Sequence, residues 1–120
     1  MIRSFFYGSL RKGHYNNDRI LGEGSELIGT TSLPGFDLYS LGAYPCAVPV
    51  DDPNHFLVGE VWEIPNEVAR GISAMERGAG YDEKEVNTEW GKANIWIMLE
   101  PPIFATRVES GDWNERKKRG

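Results

Sequence analysis

Two places in the sequence carry residues whose types and spacing could do chemistry. The first is the run Phe6-Tyr7-Gly8-Ser9-Leu10-Arg11-Lys12-Gly13. A strand that ends in Gly-Ser leaves several backbone N–H groups without ladder partners, and such donors clustered in a turn form a concave site for a carboxylate or phosphate. Arg11 and Lys12 would reinforce it. An ordinary strand-to-loop turn is the plainer reading of the same residues. The second place is Glu76, within Ile72-Ser-Ala-Met-Glu76-Arg-Gly-Ala-Gly-Tyr81. It falls near the apolar side and C-terminal end of an expected helix, where the dipole disfavours a carboxylate. Held there and partly desolvated, its pKa would rise, and it could take and return protons near neutral pH. A surface glutamate on a last helical turn is the alternative.

Other chemistry has less to build on. Cys46 with His14 or His55 would give a thiol nucleophile and a base, but Tyr44-Pro-Cys-Ala-Val-Pro49 reads as a tight apolar turn with Cys46 as a small buried side chain. Neither histidine has a metal-ligand spacing, and no zinc site or CxxC pair can be made from one cysteine. The glycines form no G-x-G-x-x-G or P-loop pattern, so nucleotide binding has no motif. No cofactor and no metal are expected.

The elements that must position these residues read mainly as strands. Short apolar clusters at residues 3–7, 27–33, 36–41 and 56–64 are each bounded by Gly, Pro or Asp. A helix is expected after Ile64-Pro65, with Asn66 able to cap it and Glu67 suited to its positive end. Val68, Ile72 and Met75 then share one face, and Gly78-Ala-Gly80 stops it. Residues 85–89 and 93–99 pattern as a hairpin turning through Trp90-Gly91-Lys92. Six strands with little helix predict an α+β domain: a small mixed, mainly antiparallel six-stranded β-barrel with short flanking helices.

Composition narrows the partners. The 120 residues carry 13 basic and 18 acidic side chains, a formal net charge of −5. Broad attachment to nucleic acid or an anionic membrane needs a basic face, and neither partner is expected. The charge is uneven: residues 1–20 are net +3, residues 21–100 net −10 and residues 101–120 net +2. One cysteine suits a reducing compartment, and the chain lacks both a signal-peptide pattern and an apolar run approaching the ~20 residues of a membrane span. A cytoplasmic location is expected. Residues 1–113 read as one domain, and residues 114–120 as a solvated, flexible basic tail. The oligomeric state is open, since Trp62, Trp90 and Trp113 suit a core or a partner equally.

Five separated motifs stand in order along nearly the whole chain: Phe6 to Gly13, Leu41-Gly-Ala-Tyr-Pro-Cys-Ala-Val-Pro49, Val58-Gly-Glu-Val-Trp62, Met75-Glu76 followed by Tyr81, and Ser110-Gly-Asp-Trp113. In that order and at those separations the sequence resembles the gamma-glutamylcyclotransferase-like family, particularly its small bacterial members. The resemblance implies a cavity at the end of the first strand and a small-molecule γ-glutamyl substrate, from which an amine or amino acid is released as 5-oxoproline forms. By position, Tyr7, Gly8, Ser9 and Leu10 would grip the α-carboxylate end of the glutamyl group, Glu76 would be the general acid/base, and Tyr81 would shape the pocket. Three positions depart from the family pattern, with Ser73, Arg77 and Glu83 where Asp, Gly and a basic residue are common. They leave a non-catalytic module that binds an amino acid or γ-glutamyl metabolite as the alternative function.

Overall fold

The computed structural model describes residues 1–14 and 16–115. Eight strands form one mixed sheet: β1 (Ile2–Phe6), β2 (Glu26–Pro34), β3 (Phe36–Ser40), β4 (Pro45–Pro49), β5 (Phe56–Ile64), β6 (Asp82–Thr88), β7 (Gly91–Ile97) and the two-residue β8 (Thr106–Arg107). Their order is β2-β5-β1-β7-β4-β3-β8, with β6 on the other edge of β7, and the sheet curls into a half-barrel. One helix, α1 (Asn66–Gly78), and a single π-helical turn (Asn17–Leu21) flank it. The fold is therefore α+β with a mixed, mainly antiparallel sheet as expected, but it has eight strands among the described residues rather than six.

The two extra strands had physical reasons to escape notice. Pro45 and Pro49 bracket β4, so Tyr44–Pro49 reads as a turn. Both prolines stand at strand ends, where a missing N–H costs least, and Cys46, Ala47 and Val48 between them are buried without the alternation that marks a half-exposed strand. Strand β8 pairs only Thr106 and Arg107 with β3, too short for any periodicity. The β6–β7 hairpin exists, but Thr88 pairs with Gly91, so it turns at Glu89-Trp90 and its strands begin earlier than the apolar residues suggest.

Parallel contacts place β1 and β4 along the same strand, β7. Ser4 pairs with Asn94, and Ala47 pairs with Ile97. The Tyr7 hydroxyl sits beside this second pairing, accepting from the Ala47 N–H at 3.1 Å and donating to the Trp96 carbonyl.

Adjacent residues on the central strands feed two cores. Phe5, Val61, Ile95 and Ile97 join Leu38 and Leu57 inside the curl, whereas Phe6, Trp62, Ile64 and Trp96 pack outside it against Leu10, Leu21 and Ile72. Since α1 and the π-helical turn cover that second face, both faces of β1 and β5 are dry. This is why they read as apolar runs instead of strict alternation. In α1, Ile72 is buried as its spacing predicts, while Pro65 and not Asn66 occupies the N-cap position and no side chain caps the first turn. Met75 leaves the core and stands 45 % exposed.

Of the expected flexible tail, Asn114 and Glu115 form a 3₁₀ turn with Trp113, and residues 116–120 lie outside the described residues. No described helix is long and apolar enough to cross a membrane.

Candidate functional site

At the C-terminal end of β1 a cavity of about 490 Å³ opens, a size typical of small-molecule sites. Tyr7, Gly8, Ser9, Leu10, Glu76 and Tyr81, the six residues singled out from the sequence, all line it. They come from three places: the turn that follows β1, the last turn of α1, and the residue just before β6.

The turn after β1 is built by local bonds. Arg11 N–H donates to the Gly8 carbonyl at 3.1 Å, and Asn17 Nδ2 holds the Leu10 carbonyl at 2.7 Å from the π-helical turn. Among the described residues the N–H groups of Ser9 and Leu10 have no hydrogen-bond partner. Two successive donors at a cavity wall are what a carboxylate grip requires. Gly8 passes so close to β4 that a Cβ there would lie 2.7 Å from Pro45 Cγ.

The expected reinforcement by Arg11 and Lys12 does not occur. Arg11 is buried away from the cavity, its Nη1 donating to Asp112 Oδ1 at 2.7 Å and its Nε 3.7 Å from Glu60 Oε2. Glu60 Oε1 also accepts the Lys12 backbone N–H at 2.7 Å and the Trp62 indole N–H at 3.0 Å. The Lys12 side chain is exposed. Three separated motifs, around residues 11, 60 and 112, therefore meet in one buried ionic cluster behind the turn, and its work is positional.

Glu76 is positioned by the way α1 ends. Gly80 N–H donates to Arg77 O, and Tyr81 N–H to Glu76 O at 3.0 Å, with Gly80 at φ +94°. This is a Schellman ending, in which the residue five beyond the third-last helical position folds back over it. The pattern Glu76-x4-Tyr81 is thus the spacing of the cap itself. The Tyr81 hydroxyl then reaches across to the Pro45 carbonyl at 2.6 Å.

The surroundings favour the uncharged forms of Glu76, Tyr81 and Tyr7. Burial raises the Glu76 carboxyl to about 7. Burial, and then the charge of Glu76, lift Tyr81 above its ordinary value; burial likewise raises Tyr7, against the opposing hydrogen bond from Ala47 N–H and with smaller contributions from Tyr81 and Glu76. Both phenols remain protonated donors beside a carboxyl that can change state near neutrality.

Cys46 is fully buried, and burial pushes its thiol up to about 11. His55 Nδ1 is bonded to Asp37 and His14 Nε2 lies 2.6 Å from Asn114 Oδ1, so neither imidazole is committed to the sulfur. Two of the three departures from the family pattern turn out to be partners: Arg77 Nη2 donates to Glu83 Oε1 at 3.3 Å, and the Arg77 guanidinium lies over the Trp96 ring.

Sequence reading missed what the π-helical turn and the β3–β4 loop bring. Arg19 and Ile20 from the former, and Leu41 and Tyr44 from the latter with Pro45 at the start of β4, also line the cavity. Arg19 counted only toward the basic opening segment, because nothing in a polar stretch shows which way a single turn will face.

Comparison with known proteins agrees with this architecture. The family model described as gamma-glutamyl cyclotransferase, AIG2-like matches residues 4–115. The gamma-glutamylcyclotransferase family protein YtfP of Escherichia coli K12 is 36 % identical over 118 residues, covering 98 % of this chain and all of that one. A crystal structure of an uncharacterized protein from Pyrococcus horikoshii superposes with a TM-score of 0.81 at 33 % identity, covering 96 % of this chain and 92 % of that one. The solution NMR structure of Escherichia coli YtfP gives 0.78 at 35 % identity, covering 98 % and 100 %.

Proposed function

This chain belongs to the gamma-glutamyl cyclotransferase, AIG2-like family, and from that premise we propose that it converts a γ-glutamyl amine or amino acid to 5-oxoproline and the free amine, with Glu76 as general base and then general acid. The observation that carries this reading is the convergence of Glu76, Tyr81 and the Tyr7–Leu10 turn on one cavity. The substrate supplies its own nucleophile and electrophile. Its α-amine attacks the γ-carbonyl carbon, a C–N bond forms within the substrate, and the amide C–N bond to the leaving group breaks. Folding the glutamyl chain into near-attack geometry removes much of the entropic barrier.

Proton traffic is what remains for the protein. The α-ammonium must lose a proton before attack, and the leaving nitrogen must gain one as the tetrahedral intermediate collapses. One carboxylate within reach of both nitrogens accepts the first proton and returns it, a role with a typical effect of about 10²–10⁴-fold. A carboxyl raised to about 7 suits both halves, being substantially ionised to accept and acidic enough to donate. The Ser9 and Leu10 N–H groups would hold the α-carboxylate, fixing the amine toward Glu76.

The test is to incubate the protein with a panel of γ-glutamyl amines and amino acids and measure 5-oxoproline. Turnover that disappears in Glu76→Gln is expected. No product from any compound, or full activity in Glu76→Gln, would overturn the reading. Binding without turnover would favour the non-catalytic alternative, whose basis is weakened by the mutual pairing of Arg77 and Glu83.

A further inference from the structure

Two consecutive asparagines at the start of the π-helical turn reach back to the turn after β1. Asn17, which is buried, donates to the Leu10 carbonyl at 2.7 Å, and Asn16 Nδ2 donates to Ser9 Oγ at 3.0 Å. The first bond fixes backbone. The second acts on a hydroxyl, and both of its partners line the cavity. Asn16 stands at the N-cap position of its turn, where an asparagine side-chain oxygen ordinarily accepts a backbone N–H, yet it makes no capping bond. Its amide is directed to Ser9 instead.

A serine hydroxyl has one proton to give and two lone pairs. With Asn16 donating to the oxygen, the Ser9 proton is turned away from the asparagine, and among the described residues no acceptor takes it. We infer that Asn16 is a positioning residue: it aims the Ser9 hydroxyl proton into the cavity, as a third donor to the ligand carboxylate beside the Ser9 and Leu10 N–H groups. The inference rests on the proposed reading of the cavity as a γ-glutamyl site. The hydroxyl and the N–H of Ser9 hang from the same Cα, so one anion can take both. A carboxylate has two oxygens and about four lone-pair sites, more than two N–H groups fill. A hydroxyl that already accepts from an amide is polarised into a better donor, and one that is already oriented loses less freedom when the ligand arrives. Aspartate has nearly the shape of asparagine but only accepts. At position 16 it would keep the contact with Ser9 and reverse it, drawing the proton out of the cavity.

The experiment measures 5-oxoproline formation from γ-glutamyl-leucine and γ-glutamyl-3-methylbutylamine, with melting curves, in the wild type, Ser9→Ala, Asn16→Asp, Asn16→Leu and the double variant Ser9→Ala/Asn16→Leu. On whichever compound the wild type turns over faster, Ser9→Ala is expected to raise KM about tenfold, the size of a lost hydrogen bond to a charged group, with little change in kcat. Asn16→Asp is expected to raise KM at least as much while Tm stays at the wild-type value. Asn16→Leu should raise it less, because the hydroxyl is left free to turn and is not turned away. Added to Ser9→Ala, Asn16→Leu should change KM no further, since it acts only through the hydroxyl. A wild-type KM in Ser9→Ala or in Asn16→Asp, or a further rise in the double variant, overturns the role of Asn16 and leaves the cyclisation reading standing. Formation of 5-oxoproline from neither compound by the wild type overturns both.

Discussion

The backbone N–H of Tyr81 donates to the carbonyl of Glu76 at 3.0 Å, so the proposed proton carrier and the tyrosine that lines the cavity beside it are joined by the helix cap and not by their side chains. Nothing between them is left to loop conformation. The cap sets where the carboxyl stands, and the tyrosine hydroxyl, anchored on Pro45, fixes the cap against β4. Candidate chemistry and helix termination are one local structure.

Gly80→Ala tests that dependence. At φ +94° the added Cβ meets its own backbone, a strain of about 1–2 kcal/mol for a residue other than glycine. A lower Tm by several degrees is expected, together with a roughly 10–100-fold fall in kcat/KM from misplacement of Glu76. Thermal unfolding alongside 5-oxoproline kinetics reads both. A loss of stability with no loss of activity would show that the cap does not position the carboxyl.

The raised Glu76 pKa makes two predictions with definite signs. As a base Glu76 must be ionised, so kcat/KM falls about tenfold per unit as pH drops below about 7, and this limb is missing in any residual activity of Glu76→Gln. For stability, the folded value of about 7 exceeds the 4.5 of an ordinary glutamate, so the folded protein holds the proton more tightly. Its contribution is fully present below about 4.5 and is lost as pH rises through about 7. Glu76→Gln is therefore expected to raise Tm relative to wild type at pH 8, with the difference vanishing near pH 4, as a pH series of melting curves would show.

How much of this was legible in the sequence depends on whether the determinant is local. Helix α1 and its end at Gly78-Ala-Gly80 were legible because turn residues and the spacing of Val68 and Ile72 are short-range signals. The six lining residues were reached through ordered motifs and their family resemblance. Strand β4 was not legible, since its burial on both faces comes from distant strands and erases the alternation a reader relies on. Arg11 was misplaced for a similar reason: its partners Glu60 and Asp112 are 49 and 101 positions away, and the pairing that draws it out of the site exists only once the sheet has curled.

Gly8→Ala should separate the grip from the proton carrier. The new Cβ would lie 2.7 Å from Pro45 Cγ and 3.2 Å from Cδ, and the ring cannot retreat while its carbonyl holds Tyr81 and its residue pairs with Ser40. Overpacking of this kind costs about 1–3 kcal/mol, and the turn is the element with freedom to shift. A raised KM with a smaller change in kcat is expected in steady-state assays. An unchanged KM would mean that the Ser9 and Leu10 N–H groups do not hold the substrate.

Behind the same turn, Glu60 is expected to be worth far more to stability than an ordinary surface acid. Its side chain is 8 % exposed and that of Arg11 6 %, and one Glu60 oxygen accepts from both Lys12 N–H and Trp62 Nε1. Glu60→Ala strands two N–H donors and leaves Arg11 with Asp112 as its remaining acidic partner, a loss of about 3–5 kcal/mol. Glu60→Gln keeps an oxygen for those donors and removes only the charge beside Arg11, so a smaller loss of about 1–2 kcal/mol is expected. Urea unfolding of the two variants distinguishes the contributions, since a buried pair is screened little by salt and the ordering should persist at 1 M NaCl. Equal, small losses in both variants would mean that the turn holds its shape without the cluster. The expected ordering would mean that the turn after β1 is held by three distant stretches of chain.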